Sequence, residues 1–177
     1  MKKIILLIII LNVILLVSAC SNNGDLASVG LDGISSKEIL TGVGNESIAV
    51  NGFGLSVYDD KLVVILNDKR VSLSMPEDEF YLSVAPFINY THECTFHSAT
   101  GCRGELKQES FFVELIDSNG NIILSETMTS MSNGFIDLWL PRDIEGTLTI
   151  TQGELSASKI IFTEAGEPTC ETTMKLL

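Results

Sequence analysis

The sequence is poor in basic residues and in histidine. Its 177 residues include 11 Lys and Arg against 23 Asp and Glu, which gives a net charge of −12 at pH 7, and only two histidines. Nucleic acids and anionic lipid head groups need a partner that neutralises their charge, so this acidic chain is a poor partner for either. Two histidines, both beside cysteines, also give little support to a Ser-His-Asp hydrolase. The excess of negative charge suits a domain that attracts cations.

The sequence also lacks an apolar run of the length that a transmembrane helix needs. Residues 4–17 form a run of about fourteen, whereas a transmembrane helix needs roughly twenty. This run follows a basic start and precedes the lipobox Val17-Ser18-Ala19-Cys20. The pattern predicts a signal peptide at residues 1–19 and lipid attachment to Cys20, which would anchor a bacterial lipoprotein at a membrane outside the cytoplasm, in the periplasm or at the cell surface. A plain signal peptide with a coincidental cysteine is the alternative.

Long amphipathic helical patterns are missing from the mature part of the chain. Residues 20–33 are small and polar, which predicts a flexible tether. Residues 34–54 predict a short helical and loop segment, in which Ser35 and Glu38 make a capping box. Residues 55–177 show β patterns separated by Gly, Asn, Asp and Pro turns. The predicted fold is therefore one mainly β domain, an antiparallel sandwich or barrel, with a short N-terminal helical segment.

Short apolar runs, many of them alternating with polar residues, predict the strands of this domain. A further short strand is expected at Ile48 to Val50, and the last run would add an edge strand that carries Cys170. The predicted strands are Leu62 to Leu66, Val71 to Met75, Phe80 to Ala85, Phe111 to Ile116, Ile122 to Glu126, Phe135 to Leu140, Gly146 to Thr151, Ser158 to Phe162 and Thr169 to Leu176.

Both histidines and two cysteines are concentrated in residues 91–106, which we call the His/Cys segment. Their order is His92-x-Cys94-x2-His97-x4-Cys102. The spacing matches no common zinc pattern, because C-x2-C and H-x3-H pairs are both absent. Thiolates and imidazoles suit Cu(I), and imidazole also binds Cu(II) tightly. Cys170 would supply a third thiolate if the last strand lies beside this segment.

The cysteine count leaves other uses open. Once Cys20 carries lipid, three cysteines remain in a compartment that favours disulfides, so one bridge leaves one thiol over. A bridge from Cys94 to Cys102 would stabilise the fold by ~2.5 kcal/mol and a bridge to Cys170 by ~4.5 kcal/mol in the chain-entropy estimate. Neither bridge explains the two histidines. The residues alone therefore leave three interpretations: a copper site, a thiol-disulfide redox protein without metal, and a structural surface module with an incidental disulfide.

The residues around the His/Cys segment resemble the CueP family of periplasmic copper-binding proteins. The resemblance covers about Leu55 to Cys170, most of the mature chain. It rests on a combination of motifs, each of which would be weak alone. The motifs are FYLSVAPF at residues 80–87, HECTFHS at residues 92–98 and CRGEL at residues 102–106, followed by the distant Cys170.

The resemblance implies an exported copper protein of the copper-stress response. It implies a metal site with Cys94, Cys102 and Cys170 as copper-linked thiols, and with His92 and His97 as further candidates. The copper would be Cu(I), Cu(II) or both, and the family suggests a copper-zinc superoxide dismutase as a recipient. The resulting hypothesis is a copper-binding lipoprotein that sequesters copper or hands it on. Its oligomeric state, a homodimer included, is left open.

A reaction can be proposed for these thiols from their chemistry. Two thiolates hold two electrons and each Cu(II) ion needs one, so a cysteine pair could reduce two Cu(II) ions and end as a disulfide. The third thiol and a histidine could then keep the resulting Cu(I) bound. The hypothesis predicts that Cu(I) is produced in step with the loss of thiols.

Overall fold

The computed structural model describes residues 23–177. The predicted signal peptide at residues 1–19 and the predicted lipidation site Cys20 lie outside the described residues. The chain divides into two units after Gly33, and residues 23–33 are the described part of the first unit. They contain helix α1, Asn23–Ala27. A helical turn therefore occupies part of the predicted tether.

The second unit, residues 34–177, begins with helix α2, Ser36–Gly44. Ser35 caps this helix, because its Oγ accepts from Glu38 N at 3.3 Å while its own N donates to Glu38 Oε2 at 2.9 Å. The predicted capping box is confirmed. Within residues 23–177, neither helix is long and apolar enough to cross a membrane.

Ten short strands form the framework of this second unit. They are β1 Gly54–Val57, β2 Lys61–Leu66, β3 Lys69–Ser74, β4 Glu79–Val84, β5 Ser110–Asp117, β6 Ile122–Thr129, β7 Ile136–Pro141, β8 Glu145–Gln152, β9 Leu155–Phe162 and β10 Cys170–Glu171. They form three sheets, with strand orders β1-β2-β3, β10-β4-β7 and β6-β5-β8-β9. Neighbouring strands are antiparallel except for β4 and β10, which are parallel. The prediction of a mainly β, antiparallel fold is confirmed.

Two details of the strand prediction are wrong. Residues 48–50 form no strand, because Ile48 N donates to Gly42 O at 2.8 Å and this segment closes the end of α2 instead. The chain then enters the first sheet at β1, which begins four residues later than the predicted strand ended. At the other end, the long predicted edge strand shortens to β10, which places Cys170 opposite Ser83 of β4.

The main core lies between the second and third sheets. Strand β4 contributes alternate residues to this core and is also buried on its opposite face, so both faces of the strand are covered. The opposite face carries Tyr81 and Ser83, and the His/Cys segment packs against it. The buried core residues are Phe80, Leu82, Val84, Phe111, Val113, Leu115, Ile136, Leu138, Leu140, Leu148, Ile150, Ile161, Met174 and Leu176.

Candidate metal centre

The His/Cys segment is held between the edges of two sheets. Val57 N, in edge strand β1, donates to His97 O at 2.8 Å, and Cys170 N, in β10, donates to Thr95 O at 3.2 Å. The Thr169 hydroxyl accepts from His97 N at 3.0 Å and donates to Val57 O at 2.7 Å. Edge strands present unpaired backbone groups. The irregular segment uses these groups to satisfy and fix its own backbone.

A tight turn brings Cys102 back to Cys94. Within it, Gly101 N and Cys102 N donate to Ser98 O at 3.0 and 2.8 Å. The Arg103 guanidinium then donates to Cys102 O at 2.7 Å. As a result, the sulfur atoms of Cys94 and Cys102 lie 3.6 Å apart.

The structure brings all five predicted site residues together. The ligand atoms of His92, Cys94 and Cys102 lie within 4.8 Å of one another, and so do those of His97, Cys102 and Cys170. We call these two sets the outer group and the inner group. Cys102 belongs to both. All three cysteines are free thiols.

The two groups differ in their exposure to solvent. The outer group is half-buried at each of its three residues. In the inner group, His97 has 0% of its surface exposed and Cys170 has 4%. The outer group is therefore the more exposed of the two, and in the inner group only the shared Cys102 is half-buried.

Phe135 forms an apolar wall beside both histidines. Its ring centroid lies 4.6 Å from that of His97 and 6.1 Å from that of His92. His92 Nε2 is buried and makes no hydrogen bond within the described part of the chain. Buried polar atoms usually have a partner. This nitrogen is therefore available to a ligand.

The three thiols differ in acidity. The pKa of Cys102 is lowered, chiefly by the proton-donating thiol of Cys170. The same interaction with Cys102 raises the pKa of Cys170, and burial raises it further. Burial raises the pKa of Cys94 to about 11. Because the thiolate is the nucleophile and the metal ligand, the lowered pKa favours Cys102 as the first cysteine to react.

Sequence reasoning misses a buried polar row behind His97. Ser83 of β4 and Asp137 of β7 are directly paired, and Ser83 Oγ donates to Asp137 Oδ1 at 2.6 Å. His97 Nε2 lies 3.4 Å from Ser83 Oγ, and His97 Nδ1 lies 3.6 Å from Cys170 Sγ. The signal in the sequence is one polar residue inside each of two apolar runs, residues 80–84 and 136–140. Such a residue indicates a hydrogen-bond partner once the strand is buried.

Asp137, which is half-buried, is the acidic member of this row. Burial raises the pKa of Asp137, while the hydrogen bond from the Ser83 hydroxyl opposes this shift. Burial also raises the pKa of Tyr81, and the neighbouring Asp137 carboxylate adds to the effect. The Ser83 hydroxyl is the donor to this carboxyl group, whereas the Tyr81 hydroxyl is buried and has no hydrogen-bond partner in the described part of the chain.

The donor set fits copper. Three sulfur atoms and two imidazoles are soft or borderline donors, which suit Cu(I), and imidazole also suits Cu(II). The unpartnered His92 Nε2 is a buried atom of the kind that a bound metal ion satisfies.

Comparisons with known proteins agree with this chemistry. The sequence model of the family described as "Periplasmic copper-binding protein CueP" matches residues 45–175. The crystal structure of S.CueP is similar to this chain with a TM-score of 0.82 and 34% sequence identity, and the match covers 90% of this chain and 100% of the other. No curated protein matches the chain significantly. The chain belongs to the CueP family of periplasmic copper-binding proteins.

Proposed function

We propose that this protein binds copper outside the cytoplasm through His92, Cys94, His97, Cys102 and Cys170. The observation that carries the proposal is the pair of overlapping donor groups that share Cys102. The outer group is the more exposed to an incoming ion, and the inner group can retain it at more deeply buried donors. A shared thiolate allows the ion to exchange ligands between the groups without leaving the protein.

The thiols also support reduction of copper. Two thiolates of the site give one electron each to two Cu(II) ions, which yields two Cu(I) ions and one disulfide. Cys94 and Cys102 are the favoured pair, because their sulfur atoms lie 3.6 Å apart and both are half-buried. Cys170 and a histidine of the inner group then hold Cu(I). Adding Cu(II) to reduced, metal-free protein should produce Cu(I), detected with a chelator, in step with thiol loss; no Cu(I) under these conditions would remove the reductase reaction.

The bound copper is sequestered or handed to an acceptor. Membership of the family supports an acceptor such as a copper-zinc superoxide dismutase, and the lipobox supports a membrane anchor at Cys20. Replacement of Cys20 by Ala should move the protein from the membrane fraction to the soluble fraction of cells. Unchanged fractionation would contradict lipid anchoring and leave the copper site unaffected.

The decisive experiment for copper binding is the stoichiometry of Cu(I) on reduced protein from Ser21 onward. We expect about one tightly held ion per chain, with binding weakened when Cys94, Cys102 or Cys170 is replaced by Ser. Replacement of Cys102 should have the largest effect, because this residue belongs to both groups. Absence of bound copper together with a bridged pair of cysteines would contradict the proposal.

Thiol-disulfide exchange without metal is the second candidate function. The close pair Cys94 and Cys102, with a lowered pKa at Cys102, is an arrangement that favours exchange. The two functions differ in their need for copper. Exchange with a model disulfide that proceeds at an unchanged rate after copper is removed with a chelator would favour this candidate.

A further inference from the structure

The row of Ser83, Asp137 and His97 has a defined direction of hydrogen bonding. The Ser83 hydroxyl has one proton, and it is donated to Asp137 Oδ1 at 2.6 Å. Toward His97 Nε2, 3.4 Å away, the same oxygen can therefore only accept. The partner that an acceptor needs is an N–H group. In a neutral imidazole with a proton on Nε2, Nδ1 carries the free electron pair.

The surroundings hold the His97 ring in this orientation. The residue is completely buried, its ring packs on Phe135, and its backbone N donates to Thr169 Oγ1 at 3.0 Å. Nδ1 points to the inner group, where Cys170 Sγ lies 3.6 Å away. In the opposite tautomer, Nε2 would carry a lone pair and would face the lone pairs of Ser83 Oγ. No hydrogen bond could form between them, because the only hydroxyl proton of Ser83 is donated to Asp137.

We propose that Ser83 and Asp137 are positioning residues for copper: they keep the proton of His97 on Nε2, so that Nδ1 is the nitrogen that binds the ion. Metal-binding histidines generally donate their other ring N–H to an oxygen acceptor, which fixes the ring and its tautomer. Here the acceptor is a serine backed by a carboxylate on the paired strand. The ligand role of Nδ1 rests on the proposed copper function, whereas the tautomer is a property of the metal-free protein.

The tautomer can be measured directly. Long-range ¹H–¹⁵N spectra of the full chain, reduced and free of metal, distinguish protonated from unprotonated ring nitrogens. The chain has only two histidines, so a His92→Asn spectrum assigns His97. We expect a protonated Nε2 and an unprotonated Nδ1 in the wild type, and a mixture of tautomers in Ser83→Ala.

Copper affinity tests the consequence. In competition with a Cu(I) chelator, Ser83→Ala and Asp137→Asn should each weaken Cu(I) binding by about 10- to 100-fold. Loss of a residue that hydrogen-bonds to a metal ligand typically has an effect of this size. Asp137→Asn keeps the shape of the side chain and serves if Ser83→Ala does not fold. The matched control is Ser36→Ala, which removes another buried hydroxyl, bonded to Ser74 O at 2.7 Å, and should leave affinity unchanged.

Two results would overturn this assignment: a wild-type His97 with its proton on Nδ1, or Ser83→Ala and Asp137→Asn variants that bind Cu(I) as tightly as Ser36→Ala. Failure of the wild type to bind any copper would instead overturn the proposed function. In that case the NMR comparison of wild type and Ser83→Ala still decides whether Ser83 fixes the ring.

Discussion

At the scale of single residues, Cys94 and Cys102 have similar exposure and different chemistry. Both are half-buried, yet the pKa of Cys102 is lowered and that of Cys94 is raised to about 11. At a pH below its pKa, a thiol gains thiolate by about tenfold for each pH unit, while an ionised thiol gains nothing. We therefore expect iodoacetamide to label Cys102 before Cys94 in reduced, metal-free protein near pH 6.

Peptide mass spectrometry at a series of pH values checks this expectation. From pH 6 to 9, the labelling rate of Cys102 should stay nearly constant and that of Cys94 should climb with pH. Cys170 is an internal control, because its burial should protect it until the protein unfolds. Parallel pH profiles for Cys94 and Cys102 would show that the two environments do not differ as described.

The residue types in the sequence predicted only part of this candidate site. Four of the five candidate residues could be predicted because thiol and imidazole groups packed into one short segment have few uses other than metal binding, redox chemistry or a disulfide. Cys170 lies outside that segment and enters the prediction through the cysteine count and the resemblance to the CueP family. Ser83 and Asp137 could not be predicted. Their meeting depends on the register between β4 and β7, because a shift of one strand by one residue would place the two side chains on opposite faces of the sheet.

At the scale of elements, Glu105 ties together the two ends of the His/Cys segment. Its carboxylate accepts from the backbone N–H groups of Ile88, Asn89 and Tyr90 at 2.7, 2.9 and 3.3 Å. Desolvation acts to raise the pKa of Glu105, but the bonds from Asn89, Ile88 and Tyr90 outweigh it and lower the pKa to about 2. The residue therefore acts as a clamp at the base of the segment.

The clamp makes stability depend on pH. The folded pKa of Glu105 lies below its ordinary value of 4.5, so its stabilising contribution is complete above about pH 4.5 and is lost as the pH falls toward 2. We expect Glu105→Gln to unfold at lower urea concentration than the wild type at pH 7, and the difference to shrink between pH 4.5 and 2. Glu93→Gln, an exposed change of the same charge, is the control. If Glu105→Gln lowered the urea midpoint by the same amount at pH 7 and at pH 2.5, the stabilisation would not come from the ionised Glu105 carboxylate.

A second link holds the segment to the turn between β6 and β7. Gly104 N donates to Asn133 O at 2.6 Å, and a Cβ atom on Gly104 would lie 2.4 Å from Gly134 O. Gly104→Ala should therefore destabilise the domain by about 1 to 3 kcal/mol, because backbone atoms cannot yield as a side chain can. Urea unfolding measures the change. Gly54→Ala is the matched control, since its Cβ would make only ordinary contacts, and equal stability of the two variants would contradict the close approach.

At the scale of the whole molecule, local pattern predicted the fold class and left the assembly open. Most strands were predictable because they carry alternating or continuous apolar runs. Strand β10 has only two residues, so its parallel pairing with β4 has no pattern of its own. Strand β1 was obscured by Gly52 and Gly54. Both elements are positioned by tertiary contacts with the His/Cys segment, and both hold the site in place.

Because of this assembly, copper should stabilise the entire domain. Cys102 and Cys170 are separated by roughly seventy residues, so an unfolded chain must close a long loop to offer the full donor set. A ligand that binds only the folded state at 100 times its Kd adds about 2.7 kcal/mol to the free energy of unfolding, and any binding to the unfolded chain reduces this gain.

The comparison of wild type with Cys170→Ser separates these contributions. Trp139, the single tryptophan, lies in β7, and its ring packs edge-on against that of Tyr81 with the ring centroids 5.1 Å apart. Its fluorescence therefore reports unfolding of the second sheet. With Cu(I) at the same multiple of each variant's Kd, we expect one urea transition that shifts strongly in the wild type and less in Cys170→Ser. In that variant the remaining donors all lie within residues 91–106 and can bind copper after unfolding. Equal shifts in the two proteins would mean that copper is held by the contiguous segment alone, and that β10 serves the fold without serving the site.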